Sequence, residues 1–275
     1  MQHTNRHIAR ILQISDSHLG PDREFKLAGI NTYRSLGQVL SVLPDQDAVP
    51  ELLAVTGDIA GDGDEGAYHL FNEAMAEQPR PFAWLPGNHD DFPLMRQVLH
   101  QSFRRVIELD SWVAIFLVSA QAGEVAGQLA DAELAELADL LHRYRDRHVL
   151  LFMHHMPVEI SCQWLDKHRV ANHRQLADLM AGFPGVKALF AGHVHQAFST
   201  SWQGIGVHSA PSTCFQFAPG SDVFELAEQP PGYRWIDLYA DGHLKTGEGF
   251  VAGAGQQVDH RCSGDWCVLS AVALR

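Results

Sequence analysis

The stretch Val186-Lys187-Ala188-Leu189-Phe190-Ala191-Gly192-His193-Val194-His195 decides how the chain is read. A short, mostly apolar run of strand length breaks at a glycine and ends in two histidines. The same pattern recurs four times upstream. Ile8–Ser15 leads into Asp16-Ser17-His18, and Glu51–Thr56 leads into Gly57-Asp58. Pro81–Pro86 leads into Gly87-Asn88-His89-Asp90, and His148–Met153 leads into His154-His155. A sixth apolar run, Trp112–Ser119, has no such sequel. Between the runs, Asn31–Leu43, Asp131–Tyr144 and Arg174–Met180 place leucines and other apolar residues at helical spacing, with Asp131 in position to cap its helix. Strand–helix alternation predicts an α/β layered domain. In open α/β sheets ligands bind beyond the carboxyl ends of the strands, so the five polar strand ends should meet at one site.

Local spacing agrees. Asp16 and His18 are two apart, as are His193 and His195. In extended backbone such residues project to one side. His154 and His155 are adjacent and should point apart, so one of them faces the site, and His154 is preferred. Gly57, Gly87 and Gly192 each precede a candidate ligand and allow tight turns or close backbone approach. After Gly204 the pattern becomes β-rich, with strands expected at Gly204–Ser209, Tyr233–Tyr239 and Leu244–Val251. There is no linker or repeat, so residues 1–275 read as a single domain with a tail, 252–275, of no evident role.

Composition narrows the function. The 275 residues carry 33 Asp and Glu against 20 Lys and Arg, a net charge of −13. That argues against general nucleic-acid or anionic-membrane binding, where a basic face supplies affinity. The longest apolar run, Trp112–Val118, falls far short of the roughly 20 residues that span a bilayer. The N-terminus has no signal-peptide pattern. Four cysteines, Cys162, Cys214, Cys262 and Cys267, are too few for a disulfide framework, so the cytoplasm is the expected compartment. Cys262 and Cys267 lack the second pair that a structural zinc site would need. Of the 17 histidines, His3, His7, His69, His100 and His142 have no motif around them and are expected to face solvent.

Taken together, Asp16-x-His18, Gly57-Asp58, Gly87-Asn88-His89-Asp90, His154 and Gly192-His193-x-His195 resemble the ordered motifs of the calcineurin-like metallophosphoesterases. The segments from Trp164-Leu165-Asp166-Lys167-His168 to Asn172, and Pro211-Ser212-Thr213-Cys214-Phe215-Gln216-Phe217, resemble the bacterial class III 3′,5′-cyclic AMP phosphodiesterases. The resemblance implies a four-layer α/β/β/α sandwich with two divalent metal ions at the strand ends. It places Asp16, His18, Asp58 and His195 on the first metal. Asp58, Asn88, His154 and His193 fall on the second, with Asp58 bridging, and His89 lies beside the phosphate. Iron or manganese leads among the metals, with zinc, cobalt or magnesium next, and mixed O and N ligands suit calcium poorly.

The chemistery such a centre supports is hydrolysis of an anionic diester. Two divalent ions with Asp16, Asp58 and a bridging hydroxide leave a cluster of about +1, matched to a singly charged diester. In this reading the hydroxide attacks phosphorus, His89 protonates the 3′-oxygen, and cyclic AMP becomes 5′-AMP. Asp58, Asn88 and His89 are then the catalytic set, and His18, Asp58, Asn88, His89 and His195 touch the substrate. Trp164, Asp166, His168 and Asn172 either line the nucleoside pocket or pin a surface loop. The partner is a small cyclic nucleotide, and the oligomeric state is open. Other substrates on the same metals would be a glycerophosphodiester, a 2′,3′-cyclic nucleotide or a phosphoprotein. A non-catalytic binding module on this fold would be expected to have lost ligands, and none is missing here.

Overall fold

All six apolar runs are strands in the computed structural model of the chain, which describes residues 6–43, 52–251 and 257–262. They divide between two sheets. The first sheet has the order Leu244–Phe250, Gly232–Tyr239, His7–Ile14, Leu52–Thr56, Phe82–Leu85, and its last three strands run parallel. The second has the order Phe198–Trp202, Ile205–Ser209, Val186–Ala191, His148–Phe152, Trp112–Phe116, Val106–Leu109, with its four central strands parallel and its edges antiparallel.

Alternation along these strands builds the layers. Ile11, Leu52, Ala54, Ala83 and Leu85 of the first sheet pack face to face with Trp112, Phe116, Leu150, Phe152 and Phe190 of the second. On the outer face of the first sheet, Leu12, Ile14, Val55 and Trp84 pack against Leu36, Val39, Phe71 and Met75 of the helices Thr32–Val42 and Glu65–Ala76. On the outer face of the second, Val113, Ile115, Val149 and Leu151 pack against Leu137, Leu141, Leu176 and Met180 of the helices Asp131–Arg143 and His173–Ala181. Helix, sheet, sheet, helix is the four-layer α/β/β/α sandwich.

Some boundaries differ from the sequence reading. Asp131 does not cap its helix. Ala130 holds the cap position with no side-chain bond, and Asp131 and Glu133 sit in the first turn, where their charge favours the helix dipole instead. The helices Glu65–Ala76 and Phe92–Val98 and the edge strands Val106–Leu109 and Phe198–Trp202 were not anticipated. The β-rich C-terminal strands join both existing sheets: Ile205–Ser209 pairs with Val186–Ala191, and Gly232–Tyr239 pairs with His7–Ile14. His7, His69, His100 and His142 are exposed as expected, and His3 lies outside the described residues. Of the tail 252–275, only 257–262 are described; there the Asp259 N–H donates to the Ala28 carbonyl at 2.9 Å. Cys162 and Cys214 are free and buried, Cys262 is disulfide-bonded, and Cys267 lies outside the described residues. Among the described residues, no helix is long and apolar enough to cross a membrane.

Four rings form a ladder across adjacent strands of the second sheet. Phe116 stacks on Phe152 at 5.0 Å, Phe152 on Phe190 at 5.4 Å, and Phe190 on His208 at 5.1 Å. Phe152 is wholly buried, so Phe152→Ala should lower the unfolding free energy by about 3–5 kcal/mol in urea titrations. A loss below about 1 kcal/mol would show that this layer does not carry the core. Burial, with Arg234 nearby, lowers His208 from 6.5 to about 4. The fold therefore holds a neutral ring, while the unfolded chain takes a proton below pH 6.5. This contribution is full above pH 6.5 and is lost as the pH falls toward about 4. His208→Gln should flatten the fall in urea midpoint over that window, and an unchanged slope would contradict the assignment.

Candidate metal centre

Five loops leave the strand ends and meet where the two sheets adjoin. The backbone there is not extended, contrary to the spacing argument. Asp16, His18, Asp58, His193 and His195 have φ of 56°, 45°, 49°, 69° and 45°. A non-glycine residue in this region costs of order 1–3 kcal/mol and persists only where its surroundings impose it. Asp16/His18 and His193/His195 still converge. In each pair, left-handed residues flank one of negative φ, and this curls the loop around the centre rather than continuing the strand.

The restraints are visible. Past the strand ends, Asp16 N–H donates to the Gly57 carbonyl at 3.0 Å, His18 N–H to Asp58 at 2.9 Å and Leu19 N–H to Ile59 at 2.8 Å. The His193 N–H donates to the Asp16 carboxylate at 3.0 Å, and the His89 N–H to Asp58 Oδ1 at 2.9 Å. Asp90 ties two loops together. Its carboxylate accepts from the N–H groups of Ile59, Ala60 and Gly87 and from the Tyr68 hydroxyl, which in turn accepts from the Asp91 N–H. Burial and the neighbouring Asp58 charge push Asp90 up to about 6.

The side chains close around one small volume. His154 Nε2 lies 3.2 Å from Asp58 Oδ2 and 3.2 Å from Asn88 Oδ1. His195 Nε2 lies 3.0 Å from His18 Nε2 and 3.5 Å from Asp16 Oδ1, and His18 Nε2 lies 3.7 Å from Asp58 Oδ2. Carbonyl oxygens only accept, so His154 Nδ1 donates to Thr56 at 2.8 Å and His195 Nδ1 to Phe215 at 2.9 Å. Those bonds turn Nε2 of both rings toward the centre, where it offers a lone pair once it carries no proton. His193 Nε2 is buried with no hydrogen-bond partner among the described residues. Two imidazole nitrogens at 3.0 Å need a proton or a cation between them.

Electrostatics describe the same tension. Burial pushes the Asp16 carboxyl up, with the Asp58 charge adding to it against the pull of His154. Burial would also raise Asp58, but His154, His89 and His18 hold it well below the carboxylate range. Burial would lower His154, yet Asp58 and Asp16 push it up to about 9. Burial drives His18, His193 and His195 down, so three rings stay neutral with lone pairs available. Carboxylate, amide and imidazole donors without a thiolate suit a first-row transition metal. The donor set fits divalent ions.

His155 is as buried as His154 but its ring is committed elsewhere, to Ser119 and Val125. A narrow cleft of about 50 Å³ opens over the centre, lined by His18, Asp58, Asn88, His89, His193 and His195 on its floor and by Val125, Trp164, Leu165, His168, Phe215 and Phe217 on its walls. Of the loop residues with two possible roles, Trp164 and His168 line the cleft. Asp166 instead accepts from Ile160 and Cys162 N–H groups, and Asn172 holds both the N–H and the carbonyl of Leu129. The sequence reading gave Phe215 and Phe217 no role of their own. Phe217 stacks on the His195 ring at 4.4 Å and Phe215 on the His18 ring at 6.2 Å. Tyr68 and Asp90 carry no local signal of their tie between the loops, though Asp90 closes the Gly87-Asn88-His89-Asp90 motif.

Residues 9–197 match the family model described as calcineurin-like phosphoesterase. The chain belongs to that family. The 3′,5′-cyclic adenosine monophosphate phosphodiesterase CpdA of Escherichia coli K12 is 38% identical over 241 residues, covering 86% of this chain and 88% of that one. CpdA of Haemophilus influenzae is 35% identical, covering 87% and 89%. A dimetal phosphatase crystal structure from Danio rerio superposes with a TM-score of 0.59 at 13% identity, over 90% of this chain and all of that one, a likeness of fold alone.

Close approach within this phosphoesterase depends on Gly57 and Gly87. Gly57 has φ of +95°, and a Cβ there would lie 2.5 Å from His154 Nδ1. A Cβ at Gly87 would lie 2.1 Å from Asp58 Oδ1. Gly87→Ala should therefore displace the Asp58 carboxylate and cut diesterase activity about 100-fold or more, since small misplacements carry such costs. Near-wild-type turnover in that variant would show that the Asp58 position is not critical.

Proposed function

We propose that this phosphoesterase hydrolyses 3′,5′-cyclic AMP to 5′-AMP with two divalent metal ions. Asp16, His18, Asp58 and His195 would hold one ion and Asp58, Asn88, His154 and His193 the other, with Asp58 shared. Iron or manganese is the favoured pair. The observation that carries the reading is the charge of the cleft: among the described residues its lining has buried lone pairs and no Lys or Arg. An anionic diester meets no lysine or arginine among the described lining residues, and the chain as a whole carries −13. Bound divalent ions would supply that charge, polarise the phosphoryl oxygens and acidify water. The substrate class follows from the relatives named as cyclic AMP phosphodiesterases and from the aromatic walls, which suit the flat face of a nucleobase.

The chain's own groups have defined tasks. Thr56 and Phe215 fix the tautomers of His154 and His195. His89 Nδ1 donates to the Gly61 carbonyl at 2.9 Å, so the ring is oriented and Nε2 is the nitrogen left to exchange a proton. Water adds to phosphorus and releases one proton, the bond from phosphorus to the 3′-oxygen breaks, and His89 Nε2 gives that oxygen a proton, which the one released by the water replaces. His18, Asp58, Asn88, His89 and His195 all line the cleft and would share contact with the phosphate.

Purified protein assayed by metal analysis and by a panel of cyclic nucleotides and acyclic diesters tests this. Asp58→Ala should lose both ions and activity together, and retained activity would refute the shared carboxylate. His89→Ala should keep its metal content while turnover falls about 10²–10⁴-fold, the usual scale of a lost proton donor. Full activity in His89→Ala would remove its assigned role. Chelation should lower the melting temperature and readdition of Mn²⁺ should restore it. Faster turnover of a glycerophosphodiester or a 2′,3′-cyclic nucleotide than of cyclic AMP would move the substrate assignment.

A further inference from the structure

The loop 119–128 closes on itself through the Gln128 N–H and the Ser119 carbonyl at 2.9 Å. The imidazole of His155 fills its inside and is fully buried. Every polar atom of that residue's ring is used. The Val125 carbonyl can only accept, so Nε2 donates to it at 3.1 Å, and Nδ1 is left to accept from the Ser119 hydroxyl at 2.9 Å. The same hydroxyl accepts from the His155 N–H at 3.2 Å. Although the ring centroid lies 4.8 Å from that of His154 and 4.6 Å from that of His193, no lone pair remains for an ion.

What the ring supports is the cleft. Val125 lines the cleft above the metal centre and also an adjoining cavity of about 490 Å³ on the far side of Asn88 and His89. It is thus part of the partition between the two. Gly127 packs against the imidazole, where a Cβ would come within 2.4 Å of a ring carbon. Gly127 in turn donates to the His168 carbonyl at 3.2 Å and accepts from the Ala171 N–H at 2.7 Å. His168 is itself a wall residue. One buried ring therefore underlies two walls, while its chain neighbour His154 faces the centre.

We propose that His155 is a positioning residue that sets the nucleoside side of the cleft through Val125 and Gly127, and that it is not a metal ligand. The proposal rests on the cyclic-nucleotide reading above and adds to it the residue that shapes substrate fit. It separates two properties that a ligand would lose together: ion content and reactivity on one hand, and nucleoside binding on the other.

The test uses the metal-loaded protein, with His155→Ala, His155→Gln and Gly127→Ala. Metal content is measured alongside kcat and KM for cyclic AMP and for methyl 4-nitrophenyl phosphate, a diester with no nucleoside. His155→Ala and Gly127→Ala should keep two ions and a kcat on the small diester within about twofold of wild type, while KM for cyclic AMP rises about tenfold. His155→Gln, whose amide can still donate toward Val125, should recover part of that KM. Loss of an ion in His155→Ala would overturn the proposal by making the residue a ligand. Equal loss on both diesters, or an unchanged KM for cyclic AMP, would overturn it too. If the wild-type protein ignores cyclic AMP, the substrate assignment falls, and the same KM split on the nucleotide diester it does hydrolyse decides the role of His155.

Discussion

Two carboxylates and a set of imidazoles sit out of water within a few ångströms of one another, and among the described residues no lysine or arginine lines the cleft above them. Burying such groups is costly unless charge and hydrogen bonds are balanced. Backbone N–H groups answer part of the demand, from His193 to Asp16 and from His89 to Asp58. The remainder shows as displaced proton affinities: Asp16 and His154 are pushed up, while Asp58, His18 and His193 are pushed down. Divalent cations would relieve these strains together, because they replace protons at the carboxylates and accept the lone pairs of the neutral rings.

The rest of the architecture holds that arrangement in place. Strand ends from two sheets must stop at the same level, and side chains pin them there. Gln13 reaches from the first sheet to the Ala191 carbonyl of the second at 2.9 Å. Asp90 collects three N–H groups from two loops. Five left-handed residues at the centre are tolerated because these bonds and the packed layers on either side leave the loops little freedom. Stability stored in the core, as in the Phe116–Phe152–Phe190 stack, thus underwrites strain at the site.

Much of this was legible in the residues and some was not. Buried parallel strands read clearly, because Leu52–Thr56 and Val186–Ala191 are continuous apolar runs. Phe198-Ser199-Thr200-Ser201-Trp202 did not, since an edge strand with mostly exposed middle residues has no apolar signature. Helix Glu65–Ala76 begins with Glu65-Gly66 and contains Asn72, so local propensity hides what packing on the sheet stabilises. The polar residues at the strand ends were readable from type and order. Their left-handed backbone was not, because aspartate and histidine do not advertise positive φ as glycine does. The uses of Tyr68, Asp90, Phe217 and His155 depend on partners far away in the chain, and no spacing rule reports those.

The central claim is that two ions share Asp58 between the two sets of donors. Anomalous diffraction from crystals of the Mn²⁺-loaded protein tests it most directly. The account predicts two peaks flanking the Asp58 carboxylate, one among Asp16, His18 and His195 and the other among Asn88, His154 and His193, with none against the ring of His155. A single peak, peaks remote from Asp58, or an ion bound by His155 would contradict it.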